Sequence, residues 1–153
     1  MKKTFAILFT IIFVAIFAFG QDNNKKLYEA IKSKDTLLVK EMLKDKADPN
    51  FVINQGPWMK VNMLITAVNN GDIDNVRLLI VYGADVNWKD GFNTTALMYA
   101  ASKGNEDILV LLLNNGADIR DNDGQGNTVL SAAKESKNQE IVRFVEMKLK
   151  EKR

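Results

Sequence analysis

The stretch Thr95-Ala-Leu-Met-Tyr-Ala-Ala-Ser-Lys-Gly-Asn-Glu-Asp-Ile-Leu-Val-Leu-Leu-Leu-Asn-Asn-Gly-Ala-Asp-Ile119 recurs along the chain in weaker copies. Alanines mark the beat at Ala30, Ala67, Ala100 and Ala133, with spacings of 37, 33 and 33 residues. An Ala-Asp pair closes successive units at Ala47-Asp48, Ala84-Asp85 and Ala117-Asp118, with the same first two spacings. A fixed period near 33 residues is the mark of stacked supersecondary units, none of which can bury its apolar face alone. Such stacks present extended binding surfaces, so the period turns the functional reading towards binding and away from an active-site pocket.

Each unit reads as a short helix, a turn, a second helix and a loop. In the quoted unit Thr95 fits an N-cap, its hydroxyl accepting from an orphan amide. Leu97, Ala100 and Ala101 give an i, i+3, i+4 apolar face, and the alanines let neighbouring helices approach closely. Gly104 allows the sharp turn between helices, where a positive φ is expected. Ile108, Leu109, Leu111, Leu112 and Leu113 make the second helix apolar on most of its surface, as expected of a helix with neighbours on both sides. Gly116 ends it.

The unit before repeats the pattern with Leu64, Ala67 and Val68, then Gly71, then Val76, Leu78, Leu79 and Ile80. The first and fourth units are degenerate. Lys34 and Lys46 stand in the first where the inner units have glycine, and Lys137 replaces the turn glycine of the fourth. Lysine-rich end units are what a stack needs, because their outer faces meet water.

On these residues the chain resembles the ankyrin repeat family. The pattern at 95–118 carries the match, with copies in the second and fourth units, and it covers about residues 24–150. The family's usual Thr-Pro-Leu-His start is replaced by Thr95-Ala-Leu-Met, Asn62-Met-Leu-Ile and Thr128-Val-Leu-Ser. The resemblance implies an all-α repeat solenoid of stacked helix-turn-helix units with β-hairpin-like loops projecting to one side. The expected repeats are about 24–50, 51–87, 88–120 and 121–150, within a domain of residues 21–153. It also implies protein–protein interaction through a concave loop-side groove, with no catalysis of its own.

Composition narrows the function further. The 153-residue chain has no Cys and no His. Disulfides and cysteine-linked lipid are therefore excluded, and the commonest general base, thiol nucleophile and zinc ligands are missing. We expect no enzymatic activity, no metal and no cofactor. Asp121-Asn-Asp-Gly-Gln-Gly-Asn127 partly fits a calcium loop, but Gln125 and Ala132 stand where further oxygen ligands belong, so it reads as a hairpin tip.

The first twenty residues form a separate segment. Lys2 and Lys3 precede an apolar run, Phe5 to Phe19, broken only by Thr10, and Ala18-Phe19-Gly20 supplies small residues before Gln21. This is the pattern of a secretory signal peptide cleaved after Gly20. The run is short for a membrane span, which needs about 20 apolar residues, so no stable membrane insertion is expected after cleavage. Without Lys2 and Lys3 the 21 basic residues fall to 19, matching the 19 acidic ones. A formally neutral mature chain offers no field to gather nucleic acid. We expect an exported monomer, periplasmic or secreted and bacterial in its composition, that binds a protein. The alternatives are display from an uncleaved membrane anchor, or secretion as an effector that meets a host protein.

The departure from the period marks the candidate site. Phe51-Val-Ile-Asn-Gln-Gly-Pro-Trp-Met-Lys60 holds the extra length of the second unit, and it is apolar where a connecting loop would be polar. Insertions in repeat proteins map to loops on one face, often the binding face. The family's groove positions fall on Trp58, Met59 and Val61 in the second unit's loop, Phe92 and Thr94 in the third and Gln125 in the fourth. On the first helices they fall on Lys32 and Ser33, on Asn69 and Asn70, on Ser102 and Lys103, and on Glu135 and Ser136. Trp88 either packs under its hairpin or joins Trp58 and Phe92 in an aromatic strip, and Trp58 either anchors a partner or folds back on the first unit. Intact-mass measurement of the exported protein should return a chain that begins at Gln21; a mass that retains residues 1–20 would instead indicate the anchored form.

Overall fold

The computed structural model describes residues 23–54, 56 and 59–151. The leader at 1–20 and Trp58 lie outside the described residues. The helices among these residues run in antiparallel pairs. They are α1 (residues 23–33), α2 (Thr36–Lys44), α3 (Met63–Asn69), α4 (Ile73–Val81), α5 (Ala96–Ser102), α6 (Glu106–Asn114), α7 (Val129–Glu135) and α8 (Gln139–Glu151). A hairpin of β1 (Val52–Asn54) and β2 (Lys60–Asn62) separates the first two pairs. The odd-numbered helices form one layer, α3 against α5 and α5 against α7; the even-numbered form the other, α2 against α4 and α4 against α6. No helix among the described residues is long and apolar enough to cross a membrane.

Local chemistry starts every helix from α2 to α7. Asp35, Asn62, Asp72, Thr95, Asn105 and Thr128 each accept a hydrogen bond from the amide three residues on. A cap of this kind is worth about 1 kcal/mol. The inner helices α3, α5 and α7 are only seven residues long, so the caps alone cannot hold them and packing must. The packing surface is the repeated alanine: Ala67, Ala100 and Ala133 are all fully buried. Around them lie Leu27, Ile31, Leu64, Leu97, Ile108, Leu109, Leu112 and Ile141, each at most 1% exposed.

The turn inside each pair has one geometry throughout. Gly71 and Gly104 sit at φ of +66° and +68°, and Lys34 and Lys137 sit at +58° and +59° in the same places. The closing bonds are also shared: the amides of Asp35, Asp72 and Asn105 reach back to the carbonyls of Ala30, Ala67 and Ala100. Lysine at these turns thus keeps the left-handed backbone that glycine adopts without strain. Lys46, at φ +63°, does the same where the inner units have Gly83 and Gly116.

Side-chain amides tie neighbouring repeats together. Asn50 Nδ2 donates to the Gly83 carbonyl at 2.9 Å, and Asn50 Oδ1 accepts from the Asp85 amide at 2.8 Å. One period on, Asn87 makes the same pair of bonds to the Gly116 carbonyl and the Asp118 amide, at 3.0 and 3.1 Å. At the N-terminal end Asn24 accepts from the Asp48 amide at 2.7 Å. Arg120 holds the corresponding place in the third unit, so the ladder stops there.

The shared turn gives a direct test. A left-handed residue with a side chain costs about 1–2 kcal/mol, and glycine gives back about 0.5–1 kcal/mol through its flexible unfolded chain. Lys137→Gly should therefore raise stability by roughly 0.5 kcal/mol in urea unfolding. Gly104→Ala should lower it by about 1 kcal/mol or more, although its Cβ would meet Ser136 Cβ only at an ordinary 3.5 Å.

Candidate protein-binding face

Two loop designs build the face. In the second repeat the long insertion folds into a true antiparallel hairpin, with Val52 opposite Asn62, Ile53 opposite Val61 and Asn54 opposite Lys60. The third and fourth loops are shorter and are organised by one buried carboxylate each. Asp90 Oδ1 accepts from the amides of Phe92 and Thr94 at 2.8 and 2.9 Å, and Asp90 Oδ2 accepts from the Tyr99 hydroxyl at 2.7 Å. In the next repeat Asp123 Oδ1 accepts from the amides of Gln125 and Asn127 at 2.7 and 3.0 Å, and Oδ2 from Asn127 Nδ2 at 2.6 Å. Both aspartates are 6% exposed. The loops are pinned at their base by single bridges, Lys89 to Thr95 and Asn122 to Thr128.

These carboxylates hold the third and fourth tips in fixed shapes. Two of the tips carry a large apolar side chain in water. Met59 is 50% exposed and Phe92 is 53% exposed. They are 33 residues apart, at matching positions of adjacent repeats, and the exposed Gln125 follows at the same interval.

The remaining sequence-derived positions divide by burial. Asn69 and Lys103 are exposed. Val61 is half-buried and packs on the core. Trp88 is half-buried against the core as well, the packing arrangement of the two that the sequence left open. Asn70 donates its amide to the Ile31 carbonyl at 2.9 Å, which commits that donor to stacking the second repeat on the first. Thr94 and Ser102 are brought together on a cleft between the third and fourth repeats, with Tyr99, Asp123, Asn127 and Glu135. Ser102 Oγ donates to the Tyr99 carbonyl.

Sequence reasoning placed Glu135 on the groove side of its first helix but missed Tyr99 and Asp90, and read Asp123 only as part of a hairpin tip with a partial calcium-loop pattern. The available signal was the 33-residue interval between Asp90 and Asp123, which repeats the loop chemistry as faithfully as the alanines repeat the helices. The calcium-like run is accounted for in the same way: Asp121 pairs with Lys89, and Asp123 is committed to loop amides.

The family model for ankyrin repeats (three copies) matches residues 27–123 and, in a second placement, 64–148. This chain belongs to the ankyrin repeat family. No curated protein matches it. Ankyrin repeats are in general protein–protein interaction modules, and here loop residues Thr94, Asp123 and Asn127 share a cleft with first-helix residues Tyr99, Ser102 and Glu135.

The Asp123 carboxylate also sets a pH response. The Gln125 amide, and then the Asn127 side chain, hold the Asp123 carboxyl below the usual carboxylate range, against a smaller opposing push from burial. Burial, and then the bond to Asp90, push the Tyr99 hydroxyl up, so it stays neutral. A depressed folded-state value means that the Asp123 contribution is complete above the unfolded-state pKa near 3.9 and is lost as pH falls through the lower folded value. Asp123→Asn should therefore be less stable than wild type at about pH 7, and the two stabilities should converge as pH falls from about 4 towards 2. Urea midpoints across that range check it; a gap that stays constant would remove Asp123 from this role.

Proposed function

We propose that this ankyrin repeat protein is an exported interaction module that docks a partner protein on its loop-side face, with Met59 and Phe92 at the contact. The observation that carries this reading is the pair of half-exposed apolar side chains, Met59 and Phe92, at matching positions of adjacent repeats. Exposed apolar groups that stand in register mark an interaction surface more than singly scattered ones do. A preorganised stack loses little conformational freedom on binding, which leaves more of the contact energy as affinity. The leader-like first twenty residues support export, and a periplasmic or envelope protein that the module protects or inhibits fits that setting. No enzymatic step is assigned: the chain lacks His and Cys, and its loop carboxylates are committed to structural donors.

A photoreactive residue replacing Phe92, with one replacing Lys148 as control, should give one discrete crosslinked protein from position 92 alone in the exported fraction. Against that partner, alanine at both Met59 and Phe92 should cost about 2 kcal/mol or more, roughly a thirtyfold loss of affinity. Unchanged affinity in a folded double variant would overturn the reading.

A further inference from the structure

The cleft between the third and fourth repeats has a chemical character of its own. It lies where a large side chain faces a small one. Ala132 stands one period after Tyr99, and both line the hollow, which measures about 160 Å³. It is a small recess open to solvent, on the scale of a single side chain.

The charge around it is one-sided. Asp123 and Glu135 line the cleft, and Asp90 lies one hydrogen bond behind it, on the Tyr99 hydroxyl. Every donor that Asp90 and Asp123 use is a neutral amide or hydroxyl. The ion pairs formed among the described residues are Lys32 with Glu29, Lys89 with Asp121, and Lys148 with Glu151; none involves these three carboxylates. Lys103 and Lys134 neighbour Ser102 and Glu135 in sequence, but neither lines the hollow. Negative charge facing a recess with low-dielectric walls is screened less than charge on an open surface. The walls suit a particular cation. Tyr99 offers an aromatic ring and Met98 an apolar flank, while Thr94 and Ser102 add hydroxyls. An aliphatic stem that ends in a positive head matches this lining, since such side chains bury the stem and keep the head among polar groups.

We propose that this cleft receives a lysine or arginine side chain of the docked partner protein, with the stem against Tyr99 and Met98 and the charge directed to Glu135 and Asp123. The proposal rests on the loop-side docking reading and gives the partner a chemistry: an apolar residue for the Met59 and Phe92 tips, and a basic residue for the cleft.

The test is selection of phage-displayed random peptides on the protein recovered from cells that express the full sequence. Peptides whose binding needs Phe92 are expected to share a Lys or Arg, and norleucine in its place should weaken binding at least tenfold. Ala132→Tyr, which adds a ring where the cleft has only a methyl group and so fills the hollow, should weaken them to a similar degree. Glu135→Gln, a change at an exposed position that leaves packing alone, should weaken them several-fold and reduce the salt dependence of binding. Phe92-dependent peptides that share no basic residue, or that ignore both Ala132→Tyr and Glu135→Gln, would overturn the cation cleft and leave the docking face standing. An absence of Phe92-dependent peptides would overturn both.

Discussion

Helices of seven residues do not persist alone in water, where even favourable sequences need about 12–15. The inner helices α3, α5 and α7 therefore exist only because each lies against its neighbour through a fully buried alanine. A larger side chain at Ala67, Ala100 or Ala133 would hold the layers apart and expose the leucines around them. Most of the remaining architecture answers this dependence. The caps reduce the cost of starting each helix, and the left-handed turns return the chain within a few residues. The asparagine ladder fixes how far each repeat is displaced from the next. The long last helix, α8, keeps its polar face for the end of the stack, with Arg143, Glu146 and Lys150 exposed.

The fold was legible because it is written several times over. Any one apolar stretch in this chain could be read as a buried strand or a helix, but the alanines and the Ala-Asp closures recur with one interval. The lysines at 34, 46 and 137 looked like signs of decay in the end units, yet the backbone there is left-handed, as it is at the glycines. What decays is the residue type, and what persists is the turn; at Lys34 and Lys46 the closing hydrogen bonds come from main-chain groups that any residue supplies, whereas after Lys137 the Asn138 amide turns to Ser136 Oγ.

The binding face was legible only in part. Met59 and Phe92 could be placed at loop tips because loop position follows from the repeat. The partners of Asp90 could not, because the Tyr99 hydroxyl reaches it from the following helix, and side-chain geometry of that kind leaves no periodic trace. The cleft was harder still, since it depends on something small: Ala132 reads as one more helix alanine until it is set against Tyr99. Asn75 gave no signal either. It is fully buried in α4 where α6 has Ile108, with its Oδ1 unpartnered among the described residues.

The ladder bonds have a consequence for how such a chain diversifies. Asn50 closes onto Gly83 and Asp85 across a unit four residues longer than the one that Asn87 spans, yet the two closures have the same geometry within a few tenths of an ångström. The extra length falls in the segment that pairs as β1 and β2, and the ladder closures keep their geometry around it. Inherited insertions in the loops are thus invisible to the helices, and point changes at the tips carry little structural penalty. Selection can alter what this surface recognises at one site after another while the rack that carries those sites stays as it is.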